Sequence, residues 1–207
     1  MVKIFVEGGG DSSSLKSECR RAFSTFFEKA GLKGQMPRIV ACGPRNDAFD
    51  AFCTAMKQGE TAFLLVDSED KIDSAWQAGS EFINWQPWAH LQHKDGWDKP
   101  VQAEDSQCHL MVQCMENWFL ADPKTLENHF GTSFNSDAIP SNPNSIEAIS
   151  TKDALDCLRK ATKDCPAGTY NKGKHSFKLL AKLDPSKVRE KSGWANRLIH
   201  GLFRVRV

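Results

Sequence analysis

The chain has 207 residues, of which 40% are hydrophobic and 26% charged, with a formal net charge of +1, ordinary values for a soluble globular protein of one well-packed domain. No apolar run approaches the roughly 20 residues of a membrane span, and the N-terminal VKIFV is too short for a signal-peptide core and is followed at once by an acid. The seven cysteines (19, 42, 53, 108, 114, 157, 165) are odd in number and scattered without a CxxC pair, so reduced cysteines in the cytoplasm are expected, with no disulfide framework.

Residues 2–6 read as a buried strand that runs into Glu7 and three glycines. Leu15, Cys19, Ala22, Phe26 and Ala30, spaced three or four apart, predict an amphipathic helix ending at Gly31. Residues 37–43 (PRIVACG) predict a second strand, stopped at Gly43-Pro44. Asn46 or Asp47 can cap a second helix, with Phe49, Phe52, Cys53 and Met56 on one face. Residues 61–66 (TAFLLV) predict a third strand and residues 108–114 (CHLMVQC) a fourth. This β-α-β-α-β order with near-continuous apolar strands predicts an α/β fold, a parallel sheet covered by helices on both faces. Residues 71–107 lack clear periodicity but hold Trp76, Trp85, Trp88 and Trp97. They predict an insertion with a small core of its own, or a lid. A polar stretch rich in Asn, Pro and Ser marks a linker (131–150), and residues 151–163 and 193–203 predict helices, the second through Trp194, Leu198, Ile199 and Leu202. The expected division is an α/β domain over 1–130, the linker, and a helical extension over 151–207 packed on the domain.

Charge follows that division. Residues 1–150 carry 13 Lys+Arg against 21 Asp+Glu, a net of −8, and residues 151–207 carry 14 against 5, a net of +9. The basic quarter is either a solvated helical face or a polyanion-binding arm beside an acidic site.

Ligands of open parallel sheets sit beyond the carboxyl ends of the strands. There the first strand delivers Glu7, the third runs into Asp67, Ser68, Glu69 and Asp70, and the fourth runs through Met115 to Glu116, with Asp122 further on. Carboxylates gathered at one edge repel, so protons or a divalent cation must neutralise them. Hard oxygen ligands without a convergent histidine cluster point to Mg2+ or Mn2+. Gly8-Gly9-Gly10 matches neither GxxxxGK[ST] nor GxGxxG, because residue 13 is Ser. With a cation between them, Glu7 and a phosphate become co-ligands, and Gly8 and Gly9 let a nucleic-acid backbone come close. Alternatively the glycines only shape a turn and Glu7 caps the next helix.

Arg45, on the same edge, can hold a phosphate bidentately and Asn46 can orient a water or ligand; a helix start with a surface arginine is the plain alternative. Lys172, Lys174 and His175 form a polar cluster before a helix. Lys172 is placed to stabilise phosphoryl charge, Lys174 to bind substrate and His175 to donate a proton, unless His175 is simply a cap. Tyr170, the only tyrosine, is expected to pack or to stack on substrate. His90 and His93 have zinc-compatible spacing, but no nearby cysteine or carboxylate pattern completes a site, so a structural role is expected.

Phe5-Val6-Glu7-Gly8 after a first strand and Leu65-Val66-Asp67-Ser68-Glu69 after a later one resemble the Toprim domain of topoisomerases, primases, OLD-family nucleases and RloB-like nucleases. More closely, the chain resembles a bacterial Toprim-like family whose members share VEGGGDS, CGxRNDAxD, LLVDSE, HLMVQCMExWFLAD and YxKGxHSFxLL, here residues 6–12, 42–50, 64–69, 109–122 and 170–180. The resemblance implies that Glu7 and Asp67 are the acidic ligands, with Glu69 or Asp70 as the second acid of a DxD-type pair. It implies a Mg2+- or Mn2+-dependent nuclease acting on DNA or RNA in antiviral defence, with a neighbouring ATPase as a partner. In this reading the metal binds Glu7, Asp67 and Glu69, and Glu116 holds a second ion. The alternative is a non-catalytic subunit that senses nucleic acid or nucleotide and regulates that ATPase.

Overall fold

The computed structural model describes residues 2–79, 82–141 and 145–205. Four strands, β1 (Lys3–Glu7), β2 (Arg38–Gly43), β3 (Ala62–Asp67) and β4 (Cys108–Met111), form one all-parallel sheet in the order β2-β1-β3-β4. The arrangement is α/β and Rossmann-like, as expected from the run of apolar strands. Register pairs Val6 with Leu65 and Asp67 with Met111, so the carboxyl ends of β1 and β3 lie side by side at the sheet's centre.

Side chains alternate between the two faces of the sheet. Ile4, Val6, Phe63 and Leu65 share one core with Cys19, Phe23 and Phe26 of α1 (Ser13–Phe27). Phe5, Leu64 and Val66 share another with Ala48, Phe52 and Met56 of α2 (Arg45–Lys57). Strands buried on both faces can be apolar throughout, which is why their sequences show runs rather than alternation.

Several sequence expectations are corrected. The first helix does not stop cleanly at Gly31: after Phe27 it widens into a π turn over Glu28–Leu32, with Gly31 at φ 101°. The second helix is capped by Pro44, so Asn46 and Asp47 already lie inside it. The fourth strand ends at Met111, and Glu116 sits in the first turn of a short helix, α4 (Met115–Leu120), followed by α5 (Pro123–Phe130). The apolar sequence continues past the strand because residues 112–115 stay buried after the backbone leaves the sheet.

Nor do residues 71–107 form a separate body with its own core. They contain helix α3 (Pro87–Asp95) and 3-10 turns at Ser74–Gln77, Phe82–Asn84 and Asp105–Gln107. Trp85 and Trp88 belong to the core on the second face of the sheet, Trp88 against Phe52 of α2 and Trp85 against Trp194, while Trp76 and Trp97 are half-buried.

The stretch expected as a linker is tied into the first core through buried Ile139 and Ile146, while residues 142–144 lie outside the described residues. Beyond it come α6 (Thr151–Thr162), α7 (Lys172–Leu180), α8 (Pro185–Lys191) and α9 (Gly193–Arg204). Leu158, Leu179, Val188 and Leu198 from these helices join the same core as β1, so the basic region is a layer of the fold. No helix among the described residues is long and apolar enough to cross a membrane.

Candidate functional site

Glu7 is the last residue of β1 and Asp67 the last of β3. Glu69 follows in a turn, its backbone at φ 61°. One carboxylate oxygen from each of the three lies within 4.8 Å of the other two. The Asp67 amide donates to Glu7 Oε2 at 3.1 Å, and the Met115 amide donates to Asp67 Oδ1 at 2.9 Å, so backbone groups fix both carboxylates. Asp70, the other candidate for the second acid, turns away to Lys94 at 3.1 Å. The geometry therefore separates the two acids that the sequence left as alternatives.

Burial pushes the Glu7 carboxyl up to about 7, and the charge of Glu69 adds to this against the Asp67 amide and Arg45. Burial also holds Asp67 well above the carboxylate range, reinforced by the charges of Glu7 and Glu116. A divalent cation would relieve this crowding. The donor set of the group is three carboxylate oxygens, which suits a hard cation such as Mg2+ or Mn2+. The residues present thus fit the ion expected from the sequence.

Two cations flank the group. Arg45 Nε donates to the Asp67 carbonyl at 3.0 Å and stands 3.8 Å from Glu7 Oε2. Its guanidinium pairs with Asp95 and lies 4.5 Å from the centre of the Trp97 ring, which stacks on Phe49 with centroids 4.4 Å apart. Arg45 Nη2 is buried with no hydrogen-bond partner among the described residues. On the other side, Lys172 opens α7 and places Nζ 3.2 Å from Glu116 Oε2. Burial opposes the Lys172 charge, but the fields of Glu116 and Asp67 outweigh it and raise the ammonium's pKa, so it remains a fixed cation.

Glu116 is fully buried. The Tyr170 hydroxyl donates to its Oε1 at 2.7 Å and also meets Ser176 Oγ at 2.7 Å. Burial and the Glu116 charge raise the Tyr170 pKa, keeping its proton available as a donor. Glu116 lines the same cavity of about 250 Å3 as Glu7, Gly8, Gly9, Asp67 and Lys172, yet it stands outside the group of three close carboxylates. Its partners are Tyr170 and the Lys172 ammonium.

The glycine loop is shaped by packing. A Cβ on Gly9 (φ 89°) would lie 2.8 Å from the Lys16 backbone, and one on Gly43 would lie 2.6 Å from the Gly10 carbonyl. Close approach of the chain to itself, as much as to a ligand, requires glycine there. The expectation that Glu7 caps α1 does not hold, because Ser12 does so by accepting from the Leu15 amide.

Four expected substrate residues lie outside the lining of this cavity, Arg45 among them, its guanidinium held by Asp95 and Trp97. Asn46 is exposed on α2. Lys174 Nζ donates to the Ala167 carbonyl at 2.8 Å, closing the loop before α7. His175 is buried, and its Nδ1 accepts from the Asn171 amide at 3.0 Å, a local bond that positions the helix start. Sequence reasoning in turn missed Asp95 and Trp97, which hold Arg45 and lie in a segment without periodicity. It also missed the tie between Tyr170 and Glu116, although a buried tyrosine calls for a polar partner.

A search of the curated proteins and a search of the solved structures each found no match. A family profile described as Domain of unknown function (DUF4276) matches residues 6–203. That match spans the carboxylate group, both flanking cations and nearly all of the fold, and the chain belongs to the DUF4276 family.

Proposed function

We propose that the chain hydrolyses phosphodiester bonds of DNA or RNA, with Mg2+ or Mn2+ held by Glu7, Asp67 and Glu69. The observation that carries this reading is the convergence of three carboxylates within 4.8 Å at the carboxyl ends of β1 and β3, with Arg45 3.8 Å from Glu7 and Lys172 lining one cavity with Glu7 and Asp67. The Toprim resemblance of the two acidic motifs supports it. When bound, such an ion polarises a phosphoryl oxygen and eases ionisation of a nearby water.

The residues around the group have separate tasks. Arg45, clamped by Asp95 and Trp97, adds fixed positive charge 3.8 Å from Glu7 Oε2. Lys172 supplies positive charge beside the leaving oxygen, and Glu116 with Tyr170 sets its position. In the net reaction a water oxygen bonds to phosphorus and the ester P–O bond breaks. The electron pair leaves on the alcohol oxygen, which takes up a proton.

The test is incubation of the protein with Mg2+ or Mn2+ and a panel of DNA, RNA and tRNA. Cleavage is expected with the wild type and is expected to vanish in Asp67→Asn. Lys172→Ala is expected to lower the saturated rate by roughly 100- to 1,000-fold, the range for loss of one group that stabilises transition-state charge. Function that persists in a Glu7→Gln, Asp67→Asn double variant would favour a sensor that binds without cutting.

A further inference from the structure

The turn that carries Glu69 borders a second and larger cavity, of about 680 Å3. That volume falls within the roughly 300–1,000 Å3 of small-molecule sites. We propose that this cavity receives an unpaired nucleobase, whose own nucleotide then extends toward the carboxylate group. The inference deepens the hydrolase reading by naming how its substrate is seated, and base binding itself does not depend on cleavage.

Three features of the wall match a base. Trp76, half-buried, lines the cavity with His93 and His90, its ring centre 5.5 Å from the first and 6.0 Å from the second. This aromatic wall suits stacking, which accepts any base because each has a π face.

His90 is 2% exposed, and its Nε2 lies 2.8 Å from the Ser68 carbonyl. A carbonyl only accepts, so Nε2 carries the proton, and Nδ1 of the neutral ring is an acceptor. That Nδ1 is buried with no hydrogen-bond partner among the described residues. Gln77 also lines the cavity. Its Oε1 already accepts from Trp194 Nε1 at 2.9 Å, which leaves its amide protons to offer. An acceptor and a donor beside an aromatic face are what the Watson–Crick edge of an unpaired base requires.

Charge and distance agree. The two acids of the lining are engaged: Asp70 accepts from Lys94 at 3.1 Å and from the Lys71 amide at 3.0 Å, and Asp73 accepts from the Ala75 amide at 2.8 Å. Lys71 and Lys94, both exposed, line the cavity. Asp67 of the carboxylate group and Asp70 of the cavity are three residues apart, so their Cα atoms are separated by at most roughly 11 Å. Ser68 braces the turn between them. Its carbonyl faces His90, its amide donates to the Met111 carbonyl at 3.0 Å, and its hydroxyl donates to the Asp70 carbonyl at 2.6 Å. A base paired within a duplex hides both its edge and its face, so single strands and unpaired nucleotides are the ligands.

The test uses the full chain in EDTA, so that binding is read without turnover. Five probes are compared: a labelled single-stranded oligonucleotide, the same strand without bases, its duplex, a mononucleotide, and ribose 5-phosphate. The base-bearing strand is expected to bind more tightly than the abasic strand and the duplex. Trp76→Ala is expected to weaken it by roughly 5- to 150-fold, the range for loss of one base–aromatic stack, and Trp76→Phe to restore most of the affinity. A mononucleotide that binds as well as the strand would make free nucleotide the ligand, whereas binding of the strand alone would make it the polymer; both uphold base recognition. Equal affinity for the abasic and base-bearing strands would overturn the inference, and this comparison needs no variant. Base-dependent binding without any Mn2+-dependent cleavage would keep it and remove the hydrolase reading.

Discussion

Glu7 titrates near 7 in the folded, metal-free chain against a reference value of 4.5, chiefly because it is buried. The folded state therefore holds more protons between those values. The stability this group contributes is complete below about 4.5 and is lost as pH rises through about 7. Glu7→Gln should remove the loss. In EDTA the variant is expected to gain on the wild type by roughly 3 kcal/mol between about pH 5 and pH 8, read by denaturant unfolding. His129, which burial, helped by Lys182, lowers to about 4, has the opposite sign: its contribution is lost as pH falls. The difference between the two proteins, not either curve alone, thus reports Glu7 together with its effect on Asp67. A difference that is independent of pH would show that this carboxyl does not titrate with folding. At this scale Glu7 and Asp67 were legible, because an acid directly after an apolar strand must lie at the sheet edge. The choice between Glu69 and Asp70 was not, since it depends on the left-handed backbone of Glu69 and on the reach of Lys94.

Among the elements, α9 shows what a helical pattern conveys and what it omits. The apolar spacing of Trp194, Leu198, Ile199 and Leu202 marks α9 as a core helix, and all four are buried. Arg197, counted by the sequence among the basic charges, is only 4% exposed. It donates to the Cys108 carbonyl at 2.6 Å, to the Phe82 carbonyl at 3.2 Å and to the Asp105 carbonyl, pinning the segment between β3 and β4. Arg197→Ala would leave several buried carbonyls unpaired. It is expected to cost about 3 kcal/mol or more, seen as a lower denaturation midpoint. A loss below 0.5 kcal/mol would mean that water replaces the guanidinium. Periodicity could not reveal this role, because the partners are backbone carbonyls distant in sequence.

In the whole molecule, the acidic and basic halves are interleaved. Lys172 meets Glu116, and Lys187 meets the buried Asp122 at 2.6 Å. Lys182 lies 2.9 Å from His129 Nδ1, and Lys152 and Arg159 flank Asp156 within the basic region itself. Lys172 and Lys187 thus pair with acids of the first 150 residues rather than standing out as an arm. Composition counts charges but not their partners, which is why the basic layer read as an appendage. A chain ending at residue 150 would expose Ile4, Val6, Leu65 and their neighbours, which pack in one core with Leu158, Leu179 and Leu198. It is expected to lack a cooperative thermal transition. A truncated chain that melts as sharply as the full one would show that the first 150 residues form a separate domain.

Mn2+ binding, followed by the loss of the free-ion electron paramagnetic resonance signal, tests the carboxylate group most directly. The wild type is expected to bind at least one ion at pH 7.5. Asp67→Asn, with its charge removed and its shape kept, is expected to bind at least tenfold more weakly. Asp70→Asn, altered one turn away at the Lys94 pair, is expected to bind as the wild type does. Equal binding by all three proteins, or no binding by any, would contradict a metal centre at Glu7, Asp67 and Glu69.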